Sequence, residues 1–176
     1  NKEEVVAFIE EMITATGEWA GGPVTERARK LDELGSGTIE NGYTIPSEPL
    51  QALYDEAKEL QIIGLSAPTE LGGMGAPVAA NLLAFTQLNR ACISSATQLG
   101  FFTSIIDMLE RFADKEDAER LIPQIISGEL SGSMCLTEAG AGSDLGSIKT
   151  TATEQEDGTY LLNGAKIFIT NGGGGL

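Results

Sequence analysis

The spacing of apolar residues changes near Gly132, and this change limits the folds that the chain can adopt. Before Gly132, apolar residues recur at helical intervals, as they do in residues 5–12. After it, apolar and polar residues alternate as in half-buried strands. We therefore predict an α+β protein, with an amino-terminal helical bundle in residues 1–130 and the beginning of an antiparallel β domain in residues 131–176.

Start and stop signals place five or six helices in the first domain, which is typical of a bundle. Ser47 is predicted to cap a helix that ends near Gly64, and Pro77 to begin the next one. Residues 96–112 are apolar on nearly every side, which predicts a central helix. A last short helix is predicted to end at Gly128.

Glycine and proline mark the predicted breaks between these helices. Helical signals fade at Gly21-Gly22-Pro23 and resume in the charged stretch that follows. Residues 35–45 contain three glycines and an Asn-Gly pair and are predicted to be an exposed loop. Residues 66–77, which are dense in glycine and proline, are also predicted to be a loop.

Three strands are predicted in the second domain, at residues 147–154, 159–164 and 165–171, with residues 134–138 as a further strand before them. Glu156-Asp157-Gly158 and Asn163-Gly164 are predicted to form the hairpin turns. Three strands with an exposed edge make a poor independent domain. The chain is therefore expected to be a fragment of a longer protein.

Composition excludes several classes of function. The 11 basic and 26 acidic residues give a formal charge of -15, which repels nucleic acid and anionic membranes. The chain has no histidine, which rules out imidazole bases and histidine-ligated metals within it. No uncharged run reaches the ~18 residues of a membrane span. Cys92 and Cys135 lie in apolar surroundings and predict buried free thiols in a cytoplasmic protein.

The stretch M-C-L-T-E-A-G-A-G-S-D, residues 134–144, has an unusually bare backbone. Two interpretations are open: a turn that needs φ > 0, or a ligand that lies directly against the chain. No helix is predicted directly after the turn, so the helix dipole that supports common phosphate loops is missing. Glu138 and Asp144 lie in this stretch as candidate general bases.

Two separated motifs carry a resemblance to a known family. Residues 134–152 and residues 160–172, joined by an acidic spacer, are similar over their whole length to the acyl-CoA dehydrogenase family. Residues 60–75 and 122–129 resemble that family's loop between helices and its last helical segment before the sheet. The similarity extends over residues 48–176. The long loop and acidic helix before residue 47 resemble larger members, such as 3-methylmercaptopropionyl-CoA dehydrogenases.

The resemblance implies a flavoprotein of fatty acid metabolism that holds FAD between two helical domains and a middle β domain. A carboxylate removes the α-proton of an acyl-CoA thioester, and the β-hydrogen leaves as hydride to flavin N5. Electrons then pass to an electron-transferring flavoprotein, and a homo-oligomer is expected. The family's catalytic base lies in the carboxy-terminal bundle, beyond residue 176, so no catalytic residue and no metal ligand is expected here. Glu138 and Asp144 are then interpreted as structural.

The resemblance also implies which residues bind the cofactor. The first wall of the flavin site, along the ring edge, would comprise Met134, Cys135, Leu136 and Thr137. Gly142 and Ser143 follow, with the Ser143 hydroxyl on the pyrophosphate or on the acyl-CoA path. The second wall would comprise Phe168, Ile169 and Thr170. Thr170 would donate towards N5, and Phe168 would pack on the ring system.

Other interpretations are open at this stage. Taken singly, Phe168 and Ile169 are core residues of a strand that Thr170 ends. Many relatives have an aromatic residue at Met134, a proline at Ala139 and a tryptophan at Phe168, so substrate-chain preference is expected to differ. An acyl-CoA oxidase or flavin monooxygenase on the same fold is one alternative function. A non-catalytic helical interaction module is the other.

Overall fold

The structure is a computed structural model that describes residues 2–172. Its internal contacts divide these residues into two units, residues 2–132 and residues 133–172. The first unit is helical apart from one small hairpin, and the second contains two short strands. The predicted α+β class, with helices first and antiparallel strands after them, is confirmed.

The first unit contains the predicted helices. Their bounds are α1 Lys2–Trp19, α2 Thr25–Leu34, α3 Glu48–Glu59, α4 Val78–Ala91, α5 Ile93–Phe112 and α6 Lys115–Ile126. Helix α3 ends at Glu59, earlier than the predicted end near Gly64, because Gln61 adopts a left-handed backbone with φ 55°. Ser47 precedes α3, but its hydroxyl donates to Gly35 O at 2.7 Å and does not cap the helix.

The predicted helix break at Gly21-Gly22-Pro23 is a π-helical turn, Ala20–Val24, that joins α1 to α2. A wider turn of this kind accommodates a proline by shifting the hydrogen-bond pattern. The Thr25 hydroxyl donates to Ala20 O at 2.7 Å. Trp19 and Val24 are buried on either side, so packing keeps the backbone helical where the local sequence disfavours it.

The prediction of a loop at residues 35–45 was wrong. Strands β1 Gly37–Glu40 and β2 Tyr43–Pro46 pair antiparallel, with Glu40 opposite Tyr43. The two-residue turn is Asn41-Gly42, and both residues have positive φ, 52° and 87°. These angles match the twist of a two-residue hairpin, for which Asn-Gly is the preferred pair.

Two clusters of buried apolar residues form the core of the first unit. In the larger cluster, α5 contributes Leu99, Phe102 and Ile106. The same helix leaves Phe112 84% exposed and Ile93 70% exposed. The helix predicted to be central therefore packs on α3, α4 and α6, but part of its apolar surface is exposed.

The second unit contains strands β3 Thr151–Glu154 and β4 Tyr160–Asn163, which pair antiparallel. The predicted turn between them is confirmed: Asp157 accepts from Thr159 N at 3.0 Å, and Gly158 has φ 80°.

The strands predicted at residues 134–138 and 165–171 are absent from the described chain, and Asn163-Gly164 ends β4 without forming a hairpin. One reason is Phe168, whose φ of 57° no strand residue adopts. Cys135 is exposed and Cys92 half-buried, which corrects the prediction of two buried thiols. Of the helices in residues 2–172, none has the length and hydropathy that a membrane span requires.

We expect Leu99→Ala to destabilise the first unit by about 2–5 kcal/mol, because it leaves a cavity at a fully buried position. Leu82→Ala is the matched control, since Leu82 lies on α4 with 62% of its surface exposed. It should change the free energy of unfolding by no more than about 0.5 kcal/mol. Urea unfolding followed by Trp19 fluorescence measures both. Equal losses in the two variants would contradict the assignment of the core.

Candidate functional site

The two motifs singled out in the sequence meet within the second unit. Ile167 N donates to Thr137 O at 2.9 Å. Lys166 Nζ donates to Leu136 O at 3.0 Å, across 30 residues of chain. The backbone of the predicted first wall, residues 134–137, therefore lies beside Lys166 and Ile167, which directly precede the predicted second wall, residues 168–170.

Glu138 follows the first wall and is almost fully buried, with 8% of its surface exposed. It accepts hydrogen bonds from the Thr150 hydroxyl at 2.5 Å and from Lys166 Nζ at 2.9 Å. The amides of Lys149 and Thr150 donate to it at 2.8 and 2.9 Å. The Thr150 hydroxyl, then Lys166, then the two amides lower the pKa of Glu138 to about 2. The carboxylate is therefore ionised at neutral pH and engaged by its own chain.

Asp144 organises the turn that follows. The Ser147 hydroxyl donates to its carboxylate at 2.5 Å, and Ser147 N donates to its carbonyl at 3.2 Å. These bonds close the short 3₁₀ turn Leu145–Ser147. The side chain therefore has a local partner of the kind that Asp commonly takes at a turn.

The glycines of residues 134–144 test whether this stretch is a turn that needs positive φ or a backbone that a ligand approaches. Gly140 and Gly142 do not have positive φ, unlike Gly42 or Gly158. A Cβ built on either one meets nothing within 4 Å. Neither the turn geometry nor the packing of the described chain requires glycine at these two positions. Close approach by a ligand is the interpretation that remains open for these two glycines.

Phe168 stands out on the second wall. Its side chain is 87% exposed, and its backbone adopts the left-handed conformation. Such a conformation costs a residue with a side chain about 1–2 kcal/mol. The Ile167–Thr137 hydrogen bond holds the preceding residue in place. The large apolar ring of Phe168 is thus exposed to solvent, and its backbone conformation is strained. Both features are common at sites that contact ligands.

The remaining predicted site residues are partly open. Met134 and Ile169 are half-buried, and Leu136 is 40% exposed. Three of the predicted site residues carry hydroxyls that form no hydrogen bond with any other group in residues 2–172. These are Thr137, Ser143 and Thr170. Such a surface offers backbone groups, hydroxyls and one aromatic ring to a ligand. In the same residues, no group of three His, Cys, Asp or Glu side chains is placed to hold a metal ion.

Sequence reasoning missed Lys166 and Thr150, which connect the motifs. The available signal was a lysine inside an apolar run and a threonine before β3. Neither indicates a partner, because Glu138 lies 28 residues from Lys166 and 12 from Thr150. The role of Glu138 as their common acceptor depends on the fold.

Two protein-family profiles match the chain in tandem. The profile of the acyl-CoA dehydrogenase N-terminal domain matches residues 24–129. That of the acyl-CoA dehydrogenase middle domain matches residues 133–174. The first profile alone accounts for more than half of the chain. The second contains both motifs of the site.

Individual proteins agree with the profiles. An acyl-CoA dehydrogenase of Bacillus subtilis is 40% identical over 64% of this chain and 30% of its own length. A 3-methylmercaptopropionyl-CoA dehydrogenase of Ruegeria pomeroyi is 37% identical over 76% of this chain and 23% of its own length. The chain therefore spans less than a third of these curated relatives.

A solved structure has the same fold. The crystal structure of an acyl-CoA dehydrogenase from Bacillus anthracis complexed with FAD superposes on 94% of this chain and 27% of its own, with a TM-score of 0.76 and 28% identity.

We expect the hydrogen bonds to Glu138 to weaken in acid. Because its folded pKa lies below the ordinary 4.5, its stabilisation is complete above pH 4.5 and is lost as the pH falls towards 2. Amide hydrogen exchange at Lys149 and Thr150, corrected for intrinsic rates, measures this. Protection of both amides should fall across that interval in the parent chain.

The same amides should exchange faster in Glu138→Gln at neutral pH, with little further dependence on acid, since an amide cannot retain the charged contacts. Glu156→Gln, in the exposed turn between β3 and β4, is the control and should exchange like the parent. Protection in the parent that stays flat from pH 5 to pH 2 would contradict the assigned network.

Proposed function

This chain belongs to the acyl-CoA dehydrogenase family, and we propose that it is the amino-terminal part of an FAD-dependent enzyme that dehydrogenates acyl-CoA thioesters between Cα and Cβ. The observation that carries the proposal is the hydrogen bond from Ile167 N to Thr137 O. It joins two motifs that are distant in the chain into one exposed surface with unpartnered hydroxyls and an open aromatic ring.

The residues of this surface fit a flat, polar-edged cofactor. A tricyclic ring needs backbone that is not shielded by side chains, and Gly140 and Gly142 leave that space open. It also needs an apolar face, which Phe168 presents with most of its ring exposed. FAD in the related Bacillus anthracis structure is in keeping with this fit.

In the proposed site, the backbone of residues 134–137 and the Thr137 hydroxyl bind the polar edge of the flavin. Phe168 and Ile169 pack against the ring, and the Thr170 hydroxyl donates towards N5. Ser143 donates to a pyrophosphate oxygen or binds along the acyl-CoA path, since a hydroxyl can donate to phosphate without carrying a fixed charge.

FAD, when bound, supplies the two-electron acceptor for the hydride that leaves the β-carbon. The α-proton would go to a carboxylate that we place outside residues 1–176, as the family resemblance implies. In keeping with this, Glu138 and Asp144 are engaged by their own chain. The contribution of residues 134–170 is to bind and orient the reacting groups.

We further propose an electron-transferring flavoprotein as electron acceptor and a homo-oligomeric enzyme, as the family resemblance implies. The similarity to 3-methylmercaptopropionyl-CoA dehydrogenase supports including short, sulfur-containing acyl chains among the substrates to test. The cytoplasmic location stays a prediction.

The complete protein tests the proposal directly. It should purify with bound FAD, and anaerobic addition of acyl-CoA thioesters of increasing length should bleach the flavin absorbance. Reduced flavin should be reoxidised by electron-transferring flavoprotein and only slowly by oxygen. Fast reoxidation by oxygen would instead indicate an oxidase or monooxygenase. A colourless protein that releases no flavin on heating would indicate a non-catalytic module.

Gly142→Ala is expected to weaken FAD binding without weakening the fold. The added methyl meets no atom of the chain within 4 Å, but it would intrude on a ligand that lies against the backbone. Overpacking of this kind costs about 1–3 kcal/mol, or roughly five- to 150-fold in Kd. Gly22→Ala, which is equally open but lies between α1 and α2, is the control. FAD titration and thermal unfolding of the apoprotein distinguish the two effects, and unchanged FAD affinity in Gly142→Ala would count against the site.

Thr170→Val is expected to slow flavin reduction more than it weakens FAD binding. A donor to N5 stabilises mainly the charge that develops during reduction, so its removal acts on the transition state. Stopped-flow reduction by acyl-CoA and FAD titration measure the two quantities. Thr170→Ser retains the hydroxyl and should reduce at nearly the parent rate. Equal loss of reduction and binding in Thr170→Val would exclude the N5 role.

A further inference from the structure

Three stretches of the second unit converge on the carboxylate of Glu138. The residue itself directly follows the predicted first wall. Lys149 and Thr150 precede β3 and contribute two amides and one hydroxyl. Lys166 precedes the predicted second wall and contributes its ammonium group. One side chain thus connects both walls to the strand hairpin.

Lys166 has a second acceptor in addition to Glu138. Its Nζ lies 2.9 Å from Glu138 Oε1 and 3.0 Å from the carbonyl oxygen of Leu136. The Lys166 side chain is only 20% exposed, and that of Glu138 9%. Screening by solvent is therefore weaker than for the pairs on the helices, such as Lys115–Glu119 at 87% and 55% exposure. The ammonium group therefore connects the Leu136 carbonyl of the first wall to the segment that directly precedes the second wall.

The packing around this network leaves little room for adjustment. A Cβ on Gly164 would lie 2.2 Å from the Thr150 hydroxyl oxygen and 2.7 Å from Thr150 Cβ. Glycine is therefore required at residue 164 by the threonine that Glu138 holds. The position of residues 164–167 is therefore fixed at both ends. Gly164 packs closely against Thr150, and Ile167 donates a hydrogen bond to Thr137 O.

We propose that Glu138 and Lys166 are positioning residues of the flavin site, which fix the spacing and register of its two walls through the backbone of Leu136, Thr137 and Ile167. This rests on the function proposed above. Neither residue is proposed to react. Their substitution should alter how the flavin is held, beyond any effect on the stability of the fold.

The test uses the complete protein and the substitutions Lys166→Met, Lys166→Arg and Glu138→Gln. Lys115→Met, which removes an exposed ion pair on α6, is the matched control. Each protein is measured by FAD titration of the apoprotein, by visible circular dichroism of the bound flavin and by thermal unfolding without FAD. Visible circular dichroism reports the asymmetry of the ring's surroundings, which a change in stability alone would not alter.

Lys166→Met is expected to raise the Kd for FAD by about tenfold or more, by analogy with the loss seen when the outer partners of metal ligands are removed. Its flavin circular dichroism should also differ from that of the parent. Lys166→Arg should recover part of both, since its guanidinium can reach the same acceptors. Lys115→Met should match the parent in both measurements.

The proposal would be overturned if Lys166→Met kept the FAD affinity and flavin circular dichroism of the parent while its apoprotein melted at a lower temperature. In that case Lys166 and Glu138 would contribute only to the stability of the fold. A parent protein that binds no FAD would instead refute the proposed function. If Lys166→Met fails to fold, Thr150→Val removes one hydroxyl donor and keeps the ion pair. It should produce the same changes to a smaller extent, and parent-like flavin binding in it would overturn the proposal.

Discussion

The buried carboxylate of Glu138 is the interaction on which the order of residues 133–172 depends. Only Glu138 and Ala141 are buried in this unit, and every residue of β3 and β4 is exposed. Apolar burial therefore contributes little to the arrangement of its loops. An ionised carboxylate with so little exposed surface needs its hydrogen-bond donors, because leaving its charge unpaired is unfavourable. The donors come from separate stretches of the chain, at residues 149–150 and at residue 166. The hydrogen bonds to this one carboxylate therefore fix the positions of both stretches.

This polar arrangement also explains how the candidate site can remain open. A site that binds a large flat cofactor cannot use its own apolar residues to fill the space that the ligand needs. The Glu138 network supports the backbone of the first wall through the hydrogen bond from Lys166 to Leu136 O. Phe168 and the hydroxyls of Thr137 and Thr170 therefore stay available to a ligand, and the chain itself maintains the contact between the walls.

Local patterns predicted the helices well because amphipathic spacing and capping act within a few turns of chain. Local patterns failed where contacts between residues far apart in the chain determine the local structure. Asn41-Gly42 forms a hairpin because a pairing strand follows it directly, whereas Asn163-Gly164 does not, since Lys166 is bound by an acid 28 residues earlier. The resemblance of the motifs predicted which residues form the walls of the site, and those roles stay a prediction. No spacing rule could pair Glu138 with its donors, because they lie 11 to 28 residues away in the chain.

The charge of the network bears on what it can do for a bound flavin. At neutral pH the pKa of Glu138, about 2, keeps the carboxylate ionised, so Lys166 and Glu138 together carry no net charge. A neutral pair with its members 2.9 Å apart produces a weak field beyond its immediate neighbours. Lys166 therefore acts on its surroundings mainly by geometry, through the carbonyl of Leu136. In the proposed site, stabilisation of the charge that forms on reduction would then come from other donors, such as the hydroxyls of Thr137 and Thr170.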